Sequence, residues 1–247
     1  MLRGIAFALA LVATPYGAGA APEVVVSAAA SLTEVLQQIA TAHEQRTGDR
    51  IVFNFGGSNV LARQIAAGAQ VDLFISADEA QLDSVAERLE TSSRVALLSN
   101  QLAVAVPDDR PRRLSSAREL TDAAIRRIAI GDPAAVPAGV YAKRYLEKVG
   151  IWADVASKVV PCGSVRLALA AVENGAADAA IVYKTDIAVA RRVREALVVP
   201  ATEGPRIVYP AAVVRSGRHP DGARRFLTFL QGAEAAAVFR RAGFLKP

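Results

Sequence analysis

Cysteine is almost missing from this chain. Of 247 residues only Cys162 is one, so no internal disulfide can brace the fold, and its default reading is a small, partly buried hydrophobe. Histidine is nearly as scarce, with His43 in a polar helix tail and His219 in the turn-like SGRHPDG. No Cys/His cluster has metal-ligand spacing, and a nucleophile–base pair would have to enlist one of these two histidines. A hydrophobic run of membrane-spanning length is absent as well. The apolar stretch 5–13 within MLRGIAFALALVATPYGAGA falls far short of the ~20 residues such a helix needs. With one cation at Arg3 and an Ala18-Gly19-Ala20 end, residues 1–20 read as a secretory signal peptide cleaved after Ala20. No lipobox cysteine stands near residue 21, so a free exported protein without a lipid anchor is expected. Finally, no charge of one sign gathers in a stripe. Removing Arg3 leaves 28 basic against 24 acidic side chains. The pairs Arg112-Arg113, Arg126-Arg127, Arg191-Arg192, Arg224-Arg225 and Arg240-Arg241 are spread along the chain. They read as solvated faces, and nucleic acid is not expected as a partner.

What is present is an apolar share of 52%, enough for a substantial core, arranged in a regular alternation. Short apolar runs at 23–27, 51–55, 72–76, 101–106, 127–130, 158–160, 178–183, 196–199 and 206–214 read as strands. Helical patterns lie between them, such as 32–45 with Leu32, Val35, Leu36 and Ile39 on one face, and 165–173. Ser31 with Glu34, and Ser116 with Glu119, fit the S-x-x-E capping box. The alternation predicts an α/β fold of mainly parallel sheets with helices on both faces. Two long extended runs, 97–106 and 207–214, break the rhythm, and only helices (221–231 and 233–241) follow the second. A chain that leaves one lobe, builds another and returns needs two such crossings. The expected organisation is therefore one lobe of residues 21–103 plus 208–247, and a second inserted as 104–207. Beyond general alanine richness there is no repeat or low-complexity segment.

In open α/β sheets ligands bind beyond the carboxyl ends of the strands, where helix N-termini point. The joints there are built of small residues. VVVSAAASLTE reaches Ser31 through three alanines. FGGSNV carries Gly56, Gly57, Ser58 and Asn59; GDPAAVPAGVY carries Pro137, Ala138 and Gly139; PCGSVRLAL carries Ser164 and Val165. The strand 178–183 ends on the hydroxyl of Tyr183. Each joint alone is accounted for by capping or packing. Together, with hydroxyls at three and no carboxylate or cation among Ser31, Ser58, Ala138, Val165 and Tyr183, they describe a neutral pocket rich in N–H and O–H donors. Its chemical partner is a fully deprotonated oxyanion, stabilised by helix N-termini and charge-assisted hydrogen bonds. A ligand with its own protons, or an ammonium group, would call for a carboxylate that these joints lack.

The segments AAASLTE, FGGSNVLARQIAAGAQVDLFISAD, GDPAAVPAGVYAKRYLEKVG, SVRLALAAVENGAADAAIVYKTD and YPAAVV together resemble the periplasmic molybdate-binding proteins of bacterial ATP-binding-cassette importers, in order and over essentially the whole mature chain. The resemblance implies a two-lobed type II periplasmic-binding-protein fold closing on a molybdate or tungstate dianion, with delivery to an inner-membrane permease. It also implies a monomer with no cofactor and no metal other than molybdenum or tungsten in the oxyanion. It places ligand contacts on Ser31, Ser58 and Tyr183 through hydroxyls, and on Ala138 and Val165 through backbone N–H groups. This chain departs from the family pattern at Gly56, Gly57 and Asn59, where members often carry further serines. Alternatives are a receptor for another tetrahedral oxyanion such as sulfate, since cavity size is not legible in sequence, and an enzyme on the same scaffold, against which the missing base, nucleophile and metal cluster argue. A sensory domain would call for a nucleic-acid-binding module before the first strand.

Overall fold

The computed structural model describes residues 23–247; the expected signal peptide, 1–20, lies outside the described residues. Among the described residues ten strands alternate with nine α-helices. The strands are β1 (Glu23–Ala29), β2 (Arg50–Gly56), β3 (Leu73–Ile75), β4 (Val95–Leu98), β5 (Leu102–Pro107), β6 (Ile128–Gly131), β7 (Val159–Cys162), β8 (Ala179–Tyr183), β9 (Val193–Val198) and β10 (Tyr209–Val213). The helices are α1 (Thr33–Thr47), α2 (Ser58–Ala66), α3 (Glu79–Asp83), α4 (Pro137–Lys148), α5 (Trp152–Val155), α6 (Val165–Glu173), α7 (Lys184–Ala188), α8 (Pro220–Gln231) and α9 (Ala233–Arg241).

The strands form two five-stranded sheets, in the orders β2-β1-β3-β10-β4 and β7-β6-β8-β5-β9. Each is built the same way. β1 runs parallel to β2 and β3, and β6 runs parallel to β7 and β8. β10 is antiparallel to its neighbours β3 and β4, as β5 is to β8 and β9. The two antiparallel strands are those reached directly after the chain changes sheet, between Leu98 and Leu102 and again between Val198 and Tyr209. Central strands covered by helices on both faces must be apolar throughout, and β6 (IAIG), β8 (AAIVY) and β10 (YPAAV) are buried along their whole length.

Several local expectations need correction. The run 97–106, read as one extended segment, is two strands in different sheets. Asn100 breaks it: its side chain accepts from the N–H of Gln101 (2.9 Å) and donates to Thr185 (2.9 Å), leaving residues 99–101 outside both ladders. β9 starts at Val193, earlier than the apolar run at 196 suggests, because Arg194 and Glu195 occupy exposed positions of an edge strand. His43 is not in a polar tail. It is buried on the inner face of α1 against the rings of Phe226 and Phe229 (5.1 and 5.2 Å between centroids), with Nε2 3.4 Å from Asp49. Neither capping box forms. At the second, Glu119 accepts from the N–H of Ser115 and not of Ser116; the first is part of the site below.

Candidate functional site

Strands β1, β2, β6 and β7 each deliver the chain into a helix whose N-terminus faces the gap between the sheets. A helix start leaves its first N–H groups without intrahelical partners, so four such starts pointed at one place make a cluster of donors. A short 3₁₀ turn, Ala30–Leu32, carries β1 into α1. Gly57 caps α2, Pro137 opens α4 at a position where a missing N–H costs nothing, and Ser164 caps α6 by accepting from the N–H of Leu167 (3.2 Å).

These starts enclose a hollow lined by Ala29, Ala30, Ser31, Gly56, Gly57, Ser58 and Ala77 from the first lobe. Val136, Pro137, Ala138, Ser164, Val165 and Tyr183 line it from the second. All five residues singled out in the sequence are therefore brought together. The hollow is tightly closed, with space for about one water molecule. No lining side chain is charged.

The glycines permit this close assembly. A Cβ on Gly57 would stand 2.6 Å from the carbonyl oxygen of Gly163 in the opposite lobe, and one on Gly139 would stand 1.9 Å from that of Gly131. The first contact crosses the cleft, so the lobes are closed. The second lets the first turn of α4 sit directly on the end of β6.

Each side chain has a definite state. Ser58, the first residue of α2, accepts from the N–H of Ala77 (3.0 Å). Ser31 caps nothing: its Oγ lies 3.1 Å from the hydroxyl of Tyr209, 178 positions away, and Glu34 turns outward. Tyr183, 1% exposed at the end of β8, has a hydroxyl without a partner among the described residues. Burial, and then the nearby Tyr209, push that phenol well above its usual range, so it is a standing O–H donor. Ala138 and Val165 are the second residue of α4 and the first of α6, where backbone N–H groups are free. Among the described residues no group of three or more His, Cys, Asp or Glu side chains could hold a metal ion. Cys162 is half-buried at the end of β7, and burial raises its thiol pKa.

Charge stands just outside the hollow. Arg166, the second residue of α6, reaches across the cleft and holds Glu34 of α1 by a two-pronged pair (3.0 and 2.6 Å). Its Nε also lies 2.8 Å from Oδ1 of Asp186, close in distance but without hydrogen-bond alignment. Asp186 is completely buried and accepts from the N–H of Tyr183 (3.1 Å). Burial pushes its carboxyl up to about 6 despite Arg166. Tyr209, Asn100, Arg166 and Asp186 were not singled out from sequence. A tyrosine opening YPAAVV and a lone Asn between two apolar runs were the available signals, and neither points to a partner.

Residues 24–245 match the model of the family described as "Bacterial extracellular solute-binding protein". The chain is 39% identical over 228 residues to the molybdate-binding protein ModA of Escherichia coli (strain K12), covering 90% of this chain and 88% of that one. It is 33% identical to the molybdate-binding protein ModA of Haemophilus influenzae over 98% of both chains. Among solved structures, the periplasmic molybdate-binding protein of Azotobacter vinelandii superposes with a TM-score of 0.82 at 25% identity, covering 91% of this chain and 99% of that one. A closed two-lobed fold with its cleft at converging helix N-termini, matched over nearly its whole described length, places this chain in the bacterial extracellular solute-binding protein family, among relatives of the molybdate-binding proteins.

Proposed function

We propose that this protein is a periplasmic receptor that captures molybdate or tungstate between its lobes and hands it to an inner-membrane ATP-binding-cassette permease. The observation that carries the reading is the character of the hollow: uncharged, buried, fed by four helix N-termini, and holding a tyrosine hydroxyl with no partner among the described residues. Such a site offers donors to the oxygens of a proton-free tetrahedral dianion and no carboxylate to take up a ligand's proton. Ser31, Ser58 and Tyr183 supply hydroxyls in this reading, and Ala138 and Val165 supply backbone N–H groups. Each charge-assisted bond contributes roughly 1.5–3 kcal/mol, so several together stabilise a dianion without a buried cation. The sequence likeness to relatives named as molybdate-binding proteins supports the choice of ion.

In the same reading the protein works as a monomer, needs no cofactor, and turns nothing over. The two chain crossings, between β4 and β5 and between β9 and β10, act as hinges between the lobes; the boundary expected at 103–104 moves back to 99–101, because Leu102 and Ala103 pair with Tyr183 and Val182 in the second sheet. Closure buries the ion and creates the surface that the permease recognises.

Isothermal titration of ligand-free protein with molybdate, tungstate, sulfate and phosphate at one pH and ionic strength tests this. Molybdate and tungstate should agree within about one order of magnitude, ~1.4 kcal/mol. Sulfate, with shorter bonds that leave a fixed ring of donors out of reach, should bind much more weakly, and hydrogen phosphate not at all. Saturating molybdate, at ~100 times its dissociation constant, should also stabilise the fold by about 2.7 kcal/mol. Tight sulfate binding would reassign the ion; tight phosphate binding would overturn the donor-only chemistry.

A further inference from the structure

Two of the serines at the hollow share a property that neither needs for packing: each is committed by the protein as an acceptor. Ser58 accepts from the N–H of Ala77 and Ser164 from that of Leu167. A hydroxyl that accepts from a backbone N–H has its own proton left to give. Ser31 has no such backbone partner. Its neighbour is another hydroxyl, that of Tyr209 at 3.1 Å, and a pair of hydroxyls can point either way.

Asn100 favours one direction. Its Oδ1 accepts from the N–H of Gln101 (2.9 Å), which fixes the amide so that Nδ2 is the group facing inward. Nδ2 can only donate, and it does so to Thr185 Oγ1 (2.9 Å) and to Tyr209 Oη (3.3 Å). With Tyr209 Oη accepting from Asn100, Ser31 Oγ is the acceptor within reach of the Tyr209 proton, an arrangement that leaves the proton of Ser31 to point into the hollow. Tyr209 is fully buried, which raises its phenol well above the usual range and keeps that proton in place. Asn100 lies on the crossing between β4 and β5 and Tyr209 is the first residue after the second crossing, so the chain of donors starts where the two lobes join.

We infer that Asn100 and Tyr209 are specificity-determining residues, which act through a directed chain of hydrogen bonds to hold the Ser31 hydroxyl as a donor toward the hollow and so restrict the site to proton-free oxyanions. This rests on the reading of Ser31 as a ligand hydroxyl. Tyr209 and Asn100 touch no ligand themselves; they position a group that does.

The test is a pair of double-mutant cycles read by titration of the whole mature protein with sodium molybdate, folding of each variant being checked by thermal unfolding. Ser31→Ala should weaken binding about ten- to a hundredfold, the worth of one bond to a charged group. Tyr209→Phe frees Ser31 to rotate and should weaken binding about tenfold in the native background. In the Ser31→Ala background it should change nothing beyond about twofold, the usual scatter of additivity. Asn100→Asp puts an acceptor opposite Tyr209, reverses the chain and turns the Ser31 proton away from the hollow. Its effect should be much larger with Ser31 present than with Ser31→Ala, where only the added charge acts. It should also make hydrogen phosphate binding measurable. Should Asn100→Asp not fold, the Tyr209 cycle decides alone. Additive effects in the cycle, or an unchanged Tyr209→Phe, would overturn this inference and leave the site reading standing. An unchanged Ser31→Ala, or no molybdate binding by the native chain, would overturn the site reading and this inference with it.

Discussion

The hollow and its rim are separated by one residue of α6, yet they are built on opposite principles. Val165 lines a hollow without a charged side chain, while Arg166, next to it, ties Glu34 in one lobe to Asp186 in the other. The two places differ in how an ion is stabilised. Inside, fixed dipoles and hydroxyls replace water around a bound anion without bringing in a countercharge that would itself have to be desolvated. At the rim, Arg166 is 23% exposed and Glu34 50% exposed, so their pairing is partly screened and contributes to closure without committing the hollow to a charge. In the proposed function the hollow recognises the ion and the rim adjusts closure.

The comparison breaks most completely if the hollow is filled. Ala138→Leu places three extra carbons where the ligand would sit, so molybdate binding should fall below detection. The ligand-free protein should still melt cooperatively near the native temperature. A large loss of ligand-free stability with normal affinity would mean that Ala138 faces the core instead. Ser58→Ala should cost roughly 1.5–3 kcal/mol of molybdate binding. It should also lower ligand-free stability by about 1–3 kcal/mol, since the buried N–H of Ala77 loses its acceptor. Calorimetric titration combined with denaturant unfolding separates the two effects.

The rim should answer to pH. Burial raises the Asp186 carboxyl from an ordinary 3.8 to about 6 in the folded protein. A raised folded pKa gives stability that is complete below the unfolded value and is lost as pH rises through the folded one. The native protein should therefore lose stability between about pH 4 and 7 relative to Asp186→Asn, which cannot ionise; parallel stability–pH curves for the two would show that Asp186 does not titrate there. The smallest effect belongs to Glu34→Gln. Removing a half-exposed partner of Arg166 should change molybdate affinity by at most about 1 kcal/mol, and less as salt is added. A loss as large as that of Ser58→Ala would end the distinction between hollow and rim.

How much of this was legible beforehand depends on the range of the interactions involved. Ser164 as a helix cap, Ser58 at a helix start and the helix over 165–173 are decided within three or four residues, and the sequence shows them directly. Ser31 looked equally local, because Glu34 stands at capping-box spacing. The 3₁₀ turn over Ala30–Leu32 moves the start of α1 past it, and both side chains are drawn to distant partners, Tyr209 and Arg166. His43 misled for the same reason: polar neighbours in sequence say nothing about Phe226 and Phe229, which arrive from another helix.

By itself, then, the sequence determined the α/β alternation, the placing of small residues and hydroxyls at strand ends, and the absence of a charge from the five positions that converge. These follow from periodicity, capping and side-chain volume, all read over a few residues. Only the tertiary structure decided that 97–106 divides between two sheets, that Gly57 and Gly163 meet across a closed cleft, and that Asn100 and Tyr209 stand behind Ser31. A hydrogen bond's direction depends on what each partner already donates or accepts, and those partners come together only when segments as far apart as 31, 100 and 209 are packed side by side.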